Sequence, residues 1–192
     1  DNKIKKTAFN NKKTLVETAA IETLEKLTDP GNLQIFQEAL KTKTYSVLEK
    51  TLLQIYYIDK ALAIKLSKEL PNDVRKIIAT PLTRIFIEEN DETELEFIAQ
   101  NVLSGMFLSN DTRIQELYKR AYDKIAKSNN TKAIENLVDD IVAKGIQFKQ
   151  FNFDKTAVNL LLQLVEIQKN SGVSNRNKHI QIIRIGMAKL VN

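Results

Sequence analysis

The spacing of apolar residues constrains this chain more than any other feature. Val16, Ala20, Ile21 and Leu24 fall at offsets 0, 4, 5 and 8; Val47, Thr51, Leu52 and Ile55 repeat those offsets, and Val74, Ile78, Ala79 and Leu82 repeat them again. Residues four and eight apart return to one face of an α-helix, so each set marks the inward face of a helix. The sets begin 31 and 27 residues apart. A unit that short holds one longer helix and a shorter partner, which cannot bury their own apolar stripe, so neighbouring units must stack and share a core. The expectation is an all-α chain, an α-solenoid of antiparallel helix pairs with about eight or nine helices. Residues 14–192 read as a single helical domain, with clear repeats over 14–105 and less regular helices over 106–192. Residues 1–13 read as a basic tail or linker.

Composition agrees. With 5 Gly and 3 Pro in 192 residues there are few hairpin turns, which disfavours a sandwich or barrel of short strands, and 43% apolar residues exclude a disordered or collagen-like chain. The absence of Cys removes disulfides, thiolate zinc sites and thiol nucleophiles. No apolar stretch approaches the roughly 20 residues of a membrane span, and the start lacks the pattern of a signal peptide. It begins at Asp1 rather than Met, from which an excised domain or processed product is expected.

Local signals place the helices. Thr14 with Glu17 forms a capping-box pattern before a helix over 14–27, stopped by Asp29, Pro30 and Gly31. A short helix follows over 32–40. Ser46 with Glu49 repeats the capping box and opens a helix through Tyr56; another runs over 59–70. The helix starting near Asp73 contains Pro81, which removes one backbone hydrogen bond and should kink it. Further on, Asp111 or Thr112 caps a helix that ends at Asn129 and Asn130, and the next, from Thr131, is expected to stop at a left-handed Gly145. Asp154 should cap a helix over 155–169 that is apolar around much of its circumference and is expected to be the most buried; Leu161 and Leu164 on it, with Leu52, Ile78 and Leu82, are expected core residues. A final helix carries Ile180, Ile183, Met187 and Leu190.

The net charge of +5 sits at the ends. Residues 1–13 carry a net +4, and residues 170–192, with Arg176, Lys178, Arg184 and Lys189 and no acid, another +4, which leaves the body of the chain at −3. Of the 29 basic residues only six are Arg, whereas phosphate and guanine recognition favours the Arg fork, so nucleic acid is not an expected partner. No membrane partner is expected either.

Candidate chemistry is sparse. Glu88, Glu89, Asp91, Glu92, Glu94 and Glu96 place six carboxylates in nine residues; a bound cation or peptide amine is one reading. The favoured one ends a helix in solvent at Glu88 and Glu89 and starts the next with Asp91, Glu92 and Glu94, where the helix dipole favours negative charge. Glu135, Asp139 and Asp140 share a helix and read as a solvated face. His179, the single histidine, cannot build a multi-histidine zinc site and reads as a surface or capping residue. Phe148, Phe151 and Phe153 either dock a partner or, as favoured, plug a gap between helices; Tyr56 and Tyr57 read as core residues with hydrogen-bonded hydroxyls. Nucleotide-binding Gly-rich loops and the G-x-S-x-G nucleophile turn are missing. No catalytic, cofactor-binding or metal-binding residue is proposed.

The alternating long and short helices, Asp29-Pro30 at a helix end, Asn72-Asp73-Val74-Arg75 at a helix start and Pro81 within one resemble HEAT repeats, although HEAT units usually run to about 40 residues. Ala19 through Pro30, then Tyr45-Ser46-Val47, then Ala61 through Leu66 resemble the C-terminal helical domain of bacterial zinc aminopeptidases of the aminopeptidase N family. That resemblance covers residues 14 to about 105. It implies a non-catalytic HEAT-like domain that packs over a preceding catalytic domain of the same polypeptide and limits which peptides reach its active-site chamber. Family members use H-E-x-x-H, a distant Glu and G-x-M-E-N; none of these stands in this chain, so zinc is expected only in a catalytic domain outside it and the chain alone is expected to be no enzyme. The alternative is a free-standing HEAT-like scaffold that holds another protein.

Overall fold

A computed structural model of the chain describes residues 30–41 and 44–191. Among these the structure is helical, with eleven α-helices and no strand. They are α1 (Leu33–Ala39), α2 (Tyr45–Ile58), α3 (Lys60–Glu69), α4 (Asn72–Ile77), α5 (Ala79–Glu88), α6 (Leu95–Ala99), α7 (Val102–Phe107), α8 (Thr112–Ala126), α9 (Thr131–Gln147), α10 (Phe153–Asn170) and α11 (Arg176–Val191). Eleven exceeds the eight or nine expected. Two short helices, α6 and α7, stand where a single helix was expected to start after the acidic run, and Pro81 divides one expected helix into two. The basic tail, the helix expected over 14–27 and the first repeat set lie outside the described residues. Contacts divide the chain between Ile85 and Phe86 into two compact units.

In the first unit α1 packs on α2 and α2 on α3. The second repeat set faces inward as its spacing requires: Val47, Thr51, Leu52 and Ile55 are buried. So are Val74, Ile78 and Leu82 of the third, while Ala79 is half-buried. Asp59 caps α3, its carboxylate accepting from Leu62 N–H at 3.0 Å. By contrast α2 starts at Tyr45, with Thr44 at the cap position and no side-chain capping bond, so Ser46 lies in the first turn rather than ahead of it. Pro81 acts as foreseen. It has no N–H to offer the Ile77 carbonyl, and the helix breaks at Ile78, whose backbone turns to φ −107°, ψ 34° between α4 and α5.

The centre of the second unit is α9, which packs against α6, α7, α8, α10 and α11. This corrects the expectation that the leucine-rich α10 is the most buried helix: Leu162, Gln163 and Glu166 of α10 are exposed. Gly145 is also not a left-handed stop, because α9 continues to Gln147 and no glycine has positive φ. It is instead a point of close approach. A Cβ at Gly145 would stand 2.7 Å from Leu190 of α11 and 2.8 Å from Ala157 of α10. The left-handed residue is Asn152, φ 58°, which turns the chain into α10; Asp154 therefore sits in the first helical turn and not at the cap. Asn90, φ 55°, makes the same kind of turn after α5.

Candidate functional site

In the second unit a groove of about 710 Å³ is bounded by α7, α8 and α10. Residues three and four apart on a helix share a face, so Lys119, Tyr122 and Asp123 of α8 form one wall. Leu162, Gln163 and Glu166 belong to the α10 wall, and Met106 of α7 adds an apolar contact. Buried Tyr122 ties the two walls together, its hydroxyl donating to the Leu160 carbonyl at 2.8 Å. Burial, and then the charge of Asp123, push this phenol well above the ordinary tyrosine range. One turn earlier on α8, Tyr118 packs against α7 where Gly105 has no side chain to obstruct it. The groove is therefore shaped by fixed helices, with apolar side chains within and one ammonium and two carboxylates at its rim.

A second constellation is fully buried. His179 of α11, expected to be a surface or capping residue, has no exposed area. Its Nδ1 is 2.9 Å from Gln168 Oε1 and its Nε2 is 3.0 Å from Thr131 Oγ1. The Gln168 amide nitrogen donates to the Ala126 carbonyl at 2.5 Å. A carbonyl only accepts, so that contact fixes the amide with Oε1 toward the imidazole. Nδ1 must then carry the proton it donates to Gln168, and Nε2 accepts from the Thr131 hydroxyl. The relay joins the end of α8, the start of α9, the last turns of α10 and the first turn of α11. Nothing in the sequence around His179 announced this, because both partners are remote: Gln168 is 11 residues away and Thr131 is 48. Burial, and then the charge of Lys178, hold the imidazole below its ordinary pKa.

The acidic candidates separate. Asp91 caps a short 3-10 turn at Glu92–Glu94, accepting from Thr93 N–H at 3.1 Å and from the Thr93 hydroxyl at 2.6 Å. This is the helix-start role expected of the run 88–96, and Glu88, Glu92 and Glu96 are exposed. Among Glu135, Asp139 and Asp140 the expected solvated face holds only in part. Asp139 is exposed and Glu135 pairs with Lys132 at 3.2 Å. Asp140 instead turns inward and accepts from Leu103 N–H at 2.9 Å, supplying the cap that Asn101 does not give α7. Burial pushes its carboxyl up to about 6, against the opposing effects of the Leu103 amide and Lys144.

The aromatic candidates divide as well. Phe153 is the plug, with Phe107 at 5.2 Å and Phe148 at 6.2 Å in edge-to-face arrangements, while Phe151 is 70% exposed and takes no part in it. Tyr56 is buried but its neighbour Tyr57 is 65% exposed. Consecutive helical residues point about 100° apart, and here that step carries Tyr57 past the edge of the buried stripe to which Ile55 and Tyr56 belong. Among the described residues no group of three or more His, Asp and Glu is placed to hold a metal ion, and no helix is long and apolar enough to cross a membrane. No protein-family model, curated protein or solved structure matches the chain.

Proposed function

We propose that this chain is the non-catalytic, HEAT-like helical domain of a zinc aminopeptidase, packed over a catalytic domain and restricting the peptides that enter it. One observation supports the reading: the repeat positions at 47, 51, 52 and 55 and again at 74, 78 and 82 are buried, as the inward faces of stacked helix pairs would be. The decisive experiment is to sequence the coding region upstream of Asp1. An H-E-x-x-H within the same open reading frame supports the proposal, and a start codon immediately ahead of Asp1 defeats it. Where the upstream region encodes a peptidase, deleting this chain from the whole enzyme should admit longer peptides while leaving hydrolysis of a small aminoacyl amide in place.

The groove between α8 and α10 supports a second reading, a scaffold that holds another protein. Its lining, apolar within and charged at the rim through Lys119, Asp123 and Glu166, is what supports this reading. Under this reading the chain alone retains its activity as a binder.

A further inference from the structure

We infer that α11 is an acid-released helix: neutral His179 latches its first turns to α8, α9 and α10, and protonation of that imidazole frees it. The latch is the directed relay from Thr131 through His179 and Gln168 to the Ala126 carbonyl. Each link has one orientation, and the single position open to an added proton, Nε2, already accepts from Thr131. A proton taken from water at Nε2 converts that nitrogen to a donor, so the Thr131 hydroxyl must turn round and surrender its own donated bond. It also places a full positive charge in a site with no exposed area.

Among the described residues nothing around the imidazole compensates for that charge. The α9 and α10 side chains that meet it, Thr131 and Gln168, are neutral, and α8 contributes only the Ala126 carbonyl to the relay. The adjacent charged residues of α9 and α10 close in pairs of their own, Lys132 with Glu135 and Glu166 with Lys169. On α11 itself Lys178 opposes protonation, and the first turn holds no acid. A cation at residue 179 also lies near the positive end of the helix dipole.

Once undocked, the imidazole is solvated and binds its proton in the ordinary way. Linkage then gives the size of the effect: between pH 7.5 and 5.5 the undocking equilibrium of α11 grows by about tenfold. Release would uncover Val138 and Val142 of α9, where Gly186 now approaches so closely that a Cβ there would stand 2.4 Å from Val138. It would also present a helix carrying Arg176, Lys178, Arg184 and Lys189 without a single carboxylate. Asp140 of α9 acts in the opposite sense, because acid neutralises a carboxylate that burial disfavours.

The test uses the whole chain. Amide hydrogen exchange, corrected for intrinsic rates, is measured at pH 7.5 and 5.5, alongside NMR titration of the imidazole, whose resonance needs no assignment because the chain has one histidine. Protection over 180–190 should fall about tenfold relative to 134–142 across that interval, while the imidazole of the docked chain titrates below the ordinary histidine range. In His179→Gln, which is neutral throughout, the fall should vanish. Unchanged protection of α11 in the natural chain, or an equal fall in His179→Gln, overturns the inference. Should that variant not fold, the natural chain decides alone: an imidazole that titrates near 6.5 with α11 amides unaffected refutes it.

Discussion

The ring of Tyr118 lies directly on the backbone of Gly105: a Cβ built at residue 105 would fall 1.8 Å from Tyr118 Cδ2 and 2.2 Å from its Cε2. Tyr118 is itself fully buried in α8, so neither the ring nor the short helix α7 has room to retreat. Gly105→Ala should therefore destabilise the chain by roughly 1–3 kcal/mol, the usual cost of overpacking, despite the better helix propensity of Ala. Gly172 is the control, since nothing lies within 4 Å of its added Cβ. Gly172→Ala should be neutral or stabilise by up to about 1 kcal/mol. Urea midpoints measure both, and an unshifted midpoint for Gly105→Ala would mean that α7 and α8 are not held together here.

Leu52, Ile78, Leu82, Leu161 and Leu164 have no exposed area. Truncating any one to Ala should cost roughly 2–5 kcal/mol, the sum of lost transfer energy and the cavity left behind. A denaturation series in which most of the five cost under about 1 kcal/mol would show that the cores of the two units are organised around other residues.

Asp140 gives stability a pH dependence of definite sign. Its carboxyl is raised to about 6 in the folded chain from 3.8, so between those values the folded state binds the proton and the unfolded state does not. Its contribution to stability therefore grows as pH falls through about 6 and is complete below 3.8. Asp140→Asn keeps an acceptor for Leu103 N–H but loses the titration. Stability of the natural chain relative to this variant should rise by roughly 1–3 kcal/mol between pH 7 and pH 4. A constant difference across that range would place the Asp140 carboxylate in water.

Tyr122 should be visible in an alkaline spectrophotometric titration of the five tyrosines. Burial and Asp123 keep its phenol from ionising in the ordinary range, so its absorbance change should arrive late, together with loss of structure. In Tyr122→Phe the late component should disappear, with a stability loss of roughly 0.5–1.5 kcal/mol for the hydrogen bond to Leu160. A natural chain in which every tyrosine ionises together while still folded would contradict the packing of the groove wall.

The sequence by itself determined the helices whose signals are local. The offsets at 47 and 74 mark buried faces, Asp59 and Asp111 each cap the helix that follows, and Pro81 breaks a helix, because periodicity, capping and a missing N–H act within one or two turns of chain. Tertiary structure decided what depends on remote partners. The positions of His179, Asp140 and Gly145 turn on Gln168 and Thr131, on the start of α7, and on Leu190 with Ala157. In each case the local sequence is compatible with solvent, since a histidine, an aspartate or a glycine near a helix end satisfies its own requirements there. Burial came from a neighbouring helix that supplied an oriented hydrogen-bond partner or needed the space, and a requirement carried by residues up to 48 positions away leaves no mark on the sequence around the residue that meets it.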